Sequence, residues 1–151
     1  MLLELVLALG WQEPAPAPLR YFDGRWSCEG HFIPSNRPLA SEMTFQPSLG
    51  DASVRHHQDQ APGRYEAQEI WAAAPGGGFR AAVLSSPAGM RWFTSPGWEG
   101  DRWTWSRHTG AGEPEERFVY VRVGDGRMDV EWWVSRQGGL EPGDILHCER
   151  V

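Results

Sequence analysis

The chain has 151 residues, 40% of them hydrophobic and 23% charged, with a formal net charge of −6. That is enough apolar material for one core and not for two, and an acidic chain lacks the cationic face that nucleic-acid binding requires. All 14 basic residues are arginine, which excludes Schiff-base chemistry, a P-loop lysine and a Ser–Lys nucleophile pair.

Met1 to Leu9 form an apolar run interrupted only by Glu4. The run is too short to span a bilayer, which takes about 20 apolar residues. A stretch rich in proline and alanine follows, ending at Pro18. Residues 1–18 therefore read as a signal-peptide-like segment with its exit, or as a short N-terminal helix packed on the domain and joined by a Pro/Ala linker. Export to the periplasm or the exterior is the expectation; a segment that is not cleaved would leave the protein in the cytoplasm. Residues 19–151 then form the folded domain.

From Tyr21 onward the signal is short runs of β-branched and aromatic residues at period 2, punctuated by turn residues. The expected strands are Arg25–Ile33, Pro38–Gln46, Ala52–Gln58, Tyr65–Ala73, Phe79–Ser85, Met90–Thr94, Arg102–Arg107, Arg117–Val123, Met128–Ser135 and Asp144–Arg150. Gly124-Asp125-Gly126 marks a hairpin between two of them. Short links force antiparallel neighbours. Twist curls such a meander, and closure removes its two edges. The fold class is thus all-β, a single antiparallel up-and-down barrel of about ten strands with a short N-terminal helical segment. A sandwich is the alternative.

A barrel of that size has room for a small ligand or for a solid core. Trp26 and Cys28 share one face of the first strand; Tyr65, Glu69 and Trp71 share a face of the fourth; Trp103 and Trp105 share another. Nine tryptophans suit an aromatic-lined cavity. A carboxylate facing inward must be paired, hydrogen-bonded or protonated. Glu69 is such a carboxylate, with Arg80, Arg91, Arg117 and Arg122 as candidate partners. The pair would read a ligand's polar end or serve as a structural ion pair at the mouth. The expected ligand-binding set is Trp26, Tyr65, Glu69, Trp71, Trp103, Trp105 and Arg117. Trp132 and Trp133 are adjacent in one strand and point to opposite faces, so at least one lies outside the barrel, a surface for a homodimer.

Cys28 and Cys148 sit in the first and last strands, which closure brings together. In an exported protein they are expected to form a disulfide across the seam; in the cytoplasm they would be two buried thiols. His56 and His57 face opposite ways, and no HExxH or paired CxxC spacing exists, so no metal site is indicated. No serine has a nucleophile-elbow context. The chain reads as a binding protein more than an enzyme, without a cofactor.

Gly24-Arg25-Trp26-Ser27-Cys28-Glu29-Gly30 is similar to the G-x-W opening of lipocalin-like barrels. Together with Tyr65-x-Ala67-x-Glu69-x-Trp71, the stretch Ser95 to Asp101, Trp103-Thr104-Trp105 and Cys148, it resembles a bacterial calycin-like family of unknown function. The resemblance covers residues 19–151 and implies the barrel while saying little about activity. The related nitrobindins bind haem through a histidine near the C-terminus, a position that His147 matches. If Cys28 and Cys148 face inward, however, His147 faces out.

The functional expectation is binding of a small, largely apolar molecule in the aromatic-lined interior. The alternatives are a nitrobindin-like haem protein using His147 and an interaction module dimerising through exposed tryptophan.

Overall fold

A computed structural model describes residues 17–61, 63, 65–86, 88–107 and 114–151. The apolar run at residues 1–9, most of the linker after it and His108 lie outside the described residues. A 3₁₀ turn, Pro18–Phe22, leads into strands β1 (Gly24–Phe32), β2 (Pro38–Ser48), β3 (Ala52–Ala61), β4 (Glu66–Ala73), β5 (Phe79–Ser86) and β6 (Gly89–Ser95). A two-residue strand, β7 (Trp98–Glu99), precedes β8 (Arg102–Arg107), β9 (Glu116–Gly124), β10 (Arg127–Arg136) and β11 (Gly139–Arg150).

Every strand pairs antiparallel with its neighbour, in the order β6-β5-β4-β3-β2-β1-β11-β10-β9-β8-β7. Pairing of Thr94 on β6 with Ser106 on β8 closes the sheet into a ten-stranded barrel, with β7 as an appendage of β8. Alternation drives this arrangement: in β4, Ala67, Glu69 and Trp71 are buried while Glu66, Gln68 and Ile70 face solvent. Most strand boundaries shift from the sequence expectation, and two of the shifts bear on the site. Tyr65 stands just before β4 and outside the ladder. β11 begins at Gly139, because Pro142, which has no N–H to donate, is accommodated beside a bulge where Trp132 pairs with Asp144 and Trp133 with Pro142.

The first and last strands form the seam. Cys28 lies directly opposite Cys148, their Cα atoms 4.0 Å apart, and the two are disulfide-bonded. Two residues along, Gly30 allows the backbones to touch, since a Cβ there would lie 1.8 Å from the Ile145 carbonyl oxygen.

One end of the barrel is solid. The 3₁₀ turn tucks under it and inserts Leu19 and Phe22, both fully buried. The Phe22 ring stacks on Phe45 and Trp98 at 5.4 and 5.2 Å and meets Trp71, Trp103 and Tyr120 edge-on. Hydrogen bonds at several points fix the turn. Trp26 Nε1 donates to the Phe22 carbonyl (2.7 Å), Arg20 Nη2 to that of Ala52 (2.8 Å), and Trp98 Nε1 to that of Pro18 (3.0 Å). Burying a side chain such as Phe22 is worth about 1.5–3 kcal/mol, so this turn stabilises the whole end. Among the described residues, no helix is long and apolar enough to cross a membrane.

Candidate functional site

The other end of the barrel is hollow. A cavity of about 550 Å³ opens there. Its apolar wall comes from Phe32, Leu39, Met43, Phe118, Val130, Trp132 and Leu146; Arg55, His57, Asp59, Tyr65, Ser86, Arg91 and Asp144 add polar groups. β3 supplies the polar column, since Ser53, Arg55, His57 and Asp59 fall on its inward face.

The floor is a chain of charges. Arg55 and Glu69 are directly opposed on β3 and β4 and form a buried ion pair through Nη1 and Oε1. The other Glu69 oxygen accepts the Trp71 indole N–H at 2.6 Å. Arg55 Nη2 donates to Nδ1 of His57 at 3.0 Å. A guanidinium has no acceptor, so Nδ1 must accept, and the proton of a neutral imidazole sits on Nε2. Nε2 then donates to Asp59 Oδ1 at 3.0 Å, which also accepts from Ser41 Oγ at 2.9 Å. Burial, reinforced by the Arg55 charge, lowers the His57 pKa against the opposing pull of Asp59, which keeps the ring neutral.

A second network stands beside it. Arg91 Nη1 bonds Glu116, while Nη2 donates to Tyr65 Oη at 2.9 Å and Ser85 Oγ at 3.0 Å. Arg107 approaches the other Glu116 oxygen at 3.3 Å. Burial raises the Tyr65 pKa, so its hydroxyl stays protonated. Asp144 differs from these groups. Burial, and then the charge of Asp59, push its pKa up to about 7, and no cation among the described residues opposes the shift.

The residues singled out from the sequence divide between the two ends. Tyr65 lines the cavity. Glu69 lies one layer below, and its partner is Arg55 instead of Arg80, Arg91, Arg117 or Arg122. Trp26, Trp71, Trp103 and Trp105 are buried in the aromatic core, outside the cavity lining. Arg117 faces outward and pairs with Glu115 at 3.2 Å. Trp132 lines the cavity, while Trp133 is half-buried outside and donates to Glu131 at 2.9 Å.

His147 lies on the outer surface, 61% exposed, with Nδ1 2.7 Å from Asp129. The inward position beside it belongs to the bonded Cys148. His57 is the imidazole on the cavity wall, and both its ring nitrogens are engaged. These residues do not fit an axially held haem. Among the described residues, no group of three or more His, Cys, Asp or Glu is placed to hold a metal ion.

Sequence reasoning missed Arg55, His57, Asp59, Trp132 and Asp144 as site residues. β3 is polar on both faces, so alternation could not say which set points in. Asp144 gave one usable signal: it shares the face of Leu146 and Cys148. The chain matches no protein-family model and no curated protein.

Proposed function

We propose that the protein is a non-enzymatic carrier or sensor that holds a small, largely apolar molecule in the open half of the barrel. The observation that carries this reading is the 550 Å³ cavity, floored by buried ion pairs and walled mainly by apolar side chains. Mostly apolar pockets of a few hundred Å³ with a few fixed polar groups are the usual form of small-molecule sites. The ion pairs of the floor favour binding over chemistry, because their partners are already committed to one another. The disulfide and the apolar N-terminal run support export to an oxidising compartment.

Titration with N-phenyl-1-naphthylamine, an uncharged fluorescent probe, tests the reading. Saturable binding at one site per chain is expected, and a cavity-filling Val130→Trp variant with an unchanged circular dichroism spectrum should lose it. A wild-type protein that binds no probe would overturn the proposal.

Self-association is a second reading, favoured by an outer row in which Val54, Ile70, Ala82 and Trp92 are successive cross-strand partners on β3 to β6. Trp92, at 65% exposure, takes the place that the Trp132–Trp133 pair held in the sequence expectation. Sedimentation of wild type and Trp92→Ser decides it: an unchanged monomer in both removes this reading.

A further inference from the structure

On the reading of the cavity as a ligand site, we propose that its ligand carries a basic nitrogen, and that the ammonium group seats against Asp144 and Asp59 while the apolar body lies along Trp132 and Phe118. Phe118 on β9 pairs with Trp132 on β10, Trp132 with Asp144 on β11, and Asp144 with Phe32 on β1. All four side chains line the cavity. A single row across four strands thus places one carboxylate between a tryptophan and a phenylalanine, with a second phenylalanine beyond. Aromatic faces and a carboxylate together favour an organic cation, since ring quadrupoles attract positive charge and a nearby anion adds to that attraction.

The charge balance of the cavity points the same way. Each guanidinium that lines the wall among the described residues already has its carboxylate: Arg55 has Glu69, and Arg91 has Glu116. Their remaining Nε atoms are buried out of reach of a ligand. An incoming anion would therefore find no uncommitted cation among these two. Asp59 accepts from Ser41 and His57 but, His57 being neutral, faces no cationic partner among the described residues. Asp144 has neither hydrogen bond nor ion pair through its carboxylate among the described residues, and the charge it senses is that of Asp59. A buried carboxylate is costly to ionise without a partner. A ligand ammonium would supply that partner.

Calorimetric titration with three probes of one shape, 4-phenylbutylamine, 4-phenylbutanol and 4-phenylbutyrate, tests this at pH 8, above the Asp144 pKa of about 7. The amine should bind about tenfold or more tighter than the alcohol, as a desolvated ion pair with cation–π support implies, and the carboxylate more weakly than either. Asp144→Asn should remove most of the amine's preference over the alcohol, Asp59 alone sustaining the remainder. Trp132→Leu should weaken the amine more than the alcohol. Alcohol binding equal to or tighter than amine binding, or an amine preference undiminished in Asp144→Asn, would overturn the proposal and leave the cavity reading standing. Binding of none of the three would overturn both.

Discussion

Arg55 and Glu69 face one another directly across β3 and β4, and their ion pair divides the barrel into a filled half and a hollow half. Both side chains are nearly inaccessible to solvent. Removing one partner of a buried pair leaves an uncompensated charge, which costs about 3–5 kcal/mol, whereas replacing both with apolar groups is often neutral. Glu69→Gln or Arg55→Met alone should therefore lower the unfolding free energy by that amount. The paired Arg55→Met/Glu69→Leu variant should lose less than either single change. Urea denaturation of the four proteins measures this, and additive losses would contradict it.

Asp144 sets a pH dependence. Its carboxyl is raised to about 7 in the folded protein from an ordinary value of 3.8. The folded state thus holds a proton that the unfolded chain releases, so this group's contribution to stability is full below about pH 4 and declines as pH rises through 7. Asp144→Asn should be more stable than wild type at pH 8, on the order of 2 kcal/mol after allowance for partial exposure. The difference should vanish near pH 4. Thermal unfolding of both proteins across that range reads the effect, and a constant offset would refute it.

The seam disulfide links residues 120 apart in sequence. Closing so long a loop restricts the unfolded chain, and loss of such a native bridge typically costs about 2–5 kcal/mol. Reduction, or a Cys28→Ala/Cys148→Ala variant, should lower the midpoint of denaturation accordingly. Equal midpoints with and without reductant would show that strand pairing alone holds the seam.

Phe22 belongs to the filled half. Its truncation to alanine should cost about 3–5 kcal/mol, the range for a large aromatic removed from a packed core. Because Phe22 is absent from the cavity wall, the affinity for N-phenyl-1-naphthylamine should remain within about twofold of wild type under folding conditions. Loss of binding in a folded Phe22→Ala protein would show the two halves to be coupled.

Much of this architecture is legible from local pattern. Alternation in residues 66–73 and 102–105 and the Gly124–Gly126 hairpin are short-range signals, and each specifies its element without knowledge of the rest; the pairing of Cys28 with Cys148 follows once closure of the barrel is inferred. Glu69 could be recognised as inward for the same reason. Its partner could not. Register between β3 and β4 decides that Arg55 stands opposite, and β3 carries Val54, His56 and Gln58 outward against Arg55, His57 and Asp59 inward, a contrast too weak to orient the strand. The tryptophans illustrate a different gap. Trp26, Trp71, Trp103 and Trp105 do point inward, but whether inward means cavity or core depends on which end the Pro18–Phe22 turn fills. That is a long-range packing choice with no signature in any one strand.

The plug also sets the orientation of the chain ends. Ala17 enters beneath the filled half, and Val151 leaves from it, its amide bonded to the Arg25 carbonyl at the start of β1. A tether, fusion partner or affinity handle joined at Val151 would hang from the side away from the opening. Immobilising the protein through its C-terminus would accordingly leave the entrance unobstructed, a practical route to screening small molecules on a surface.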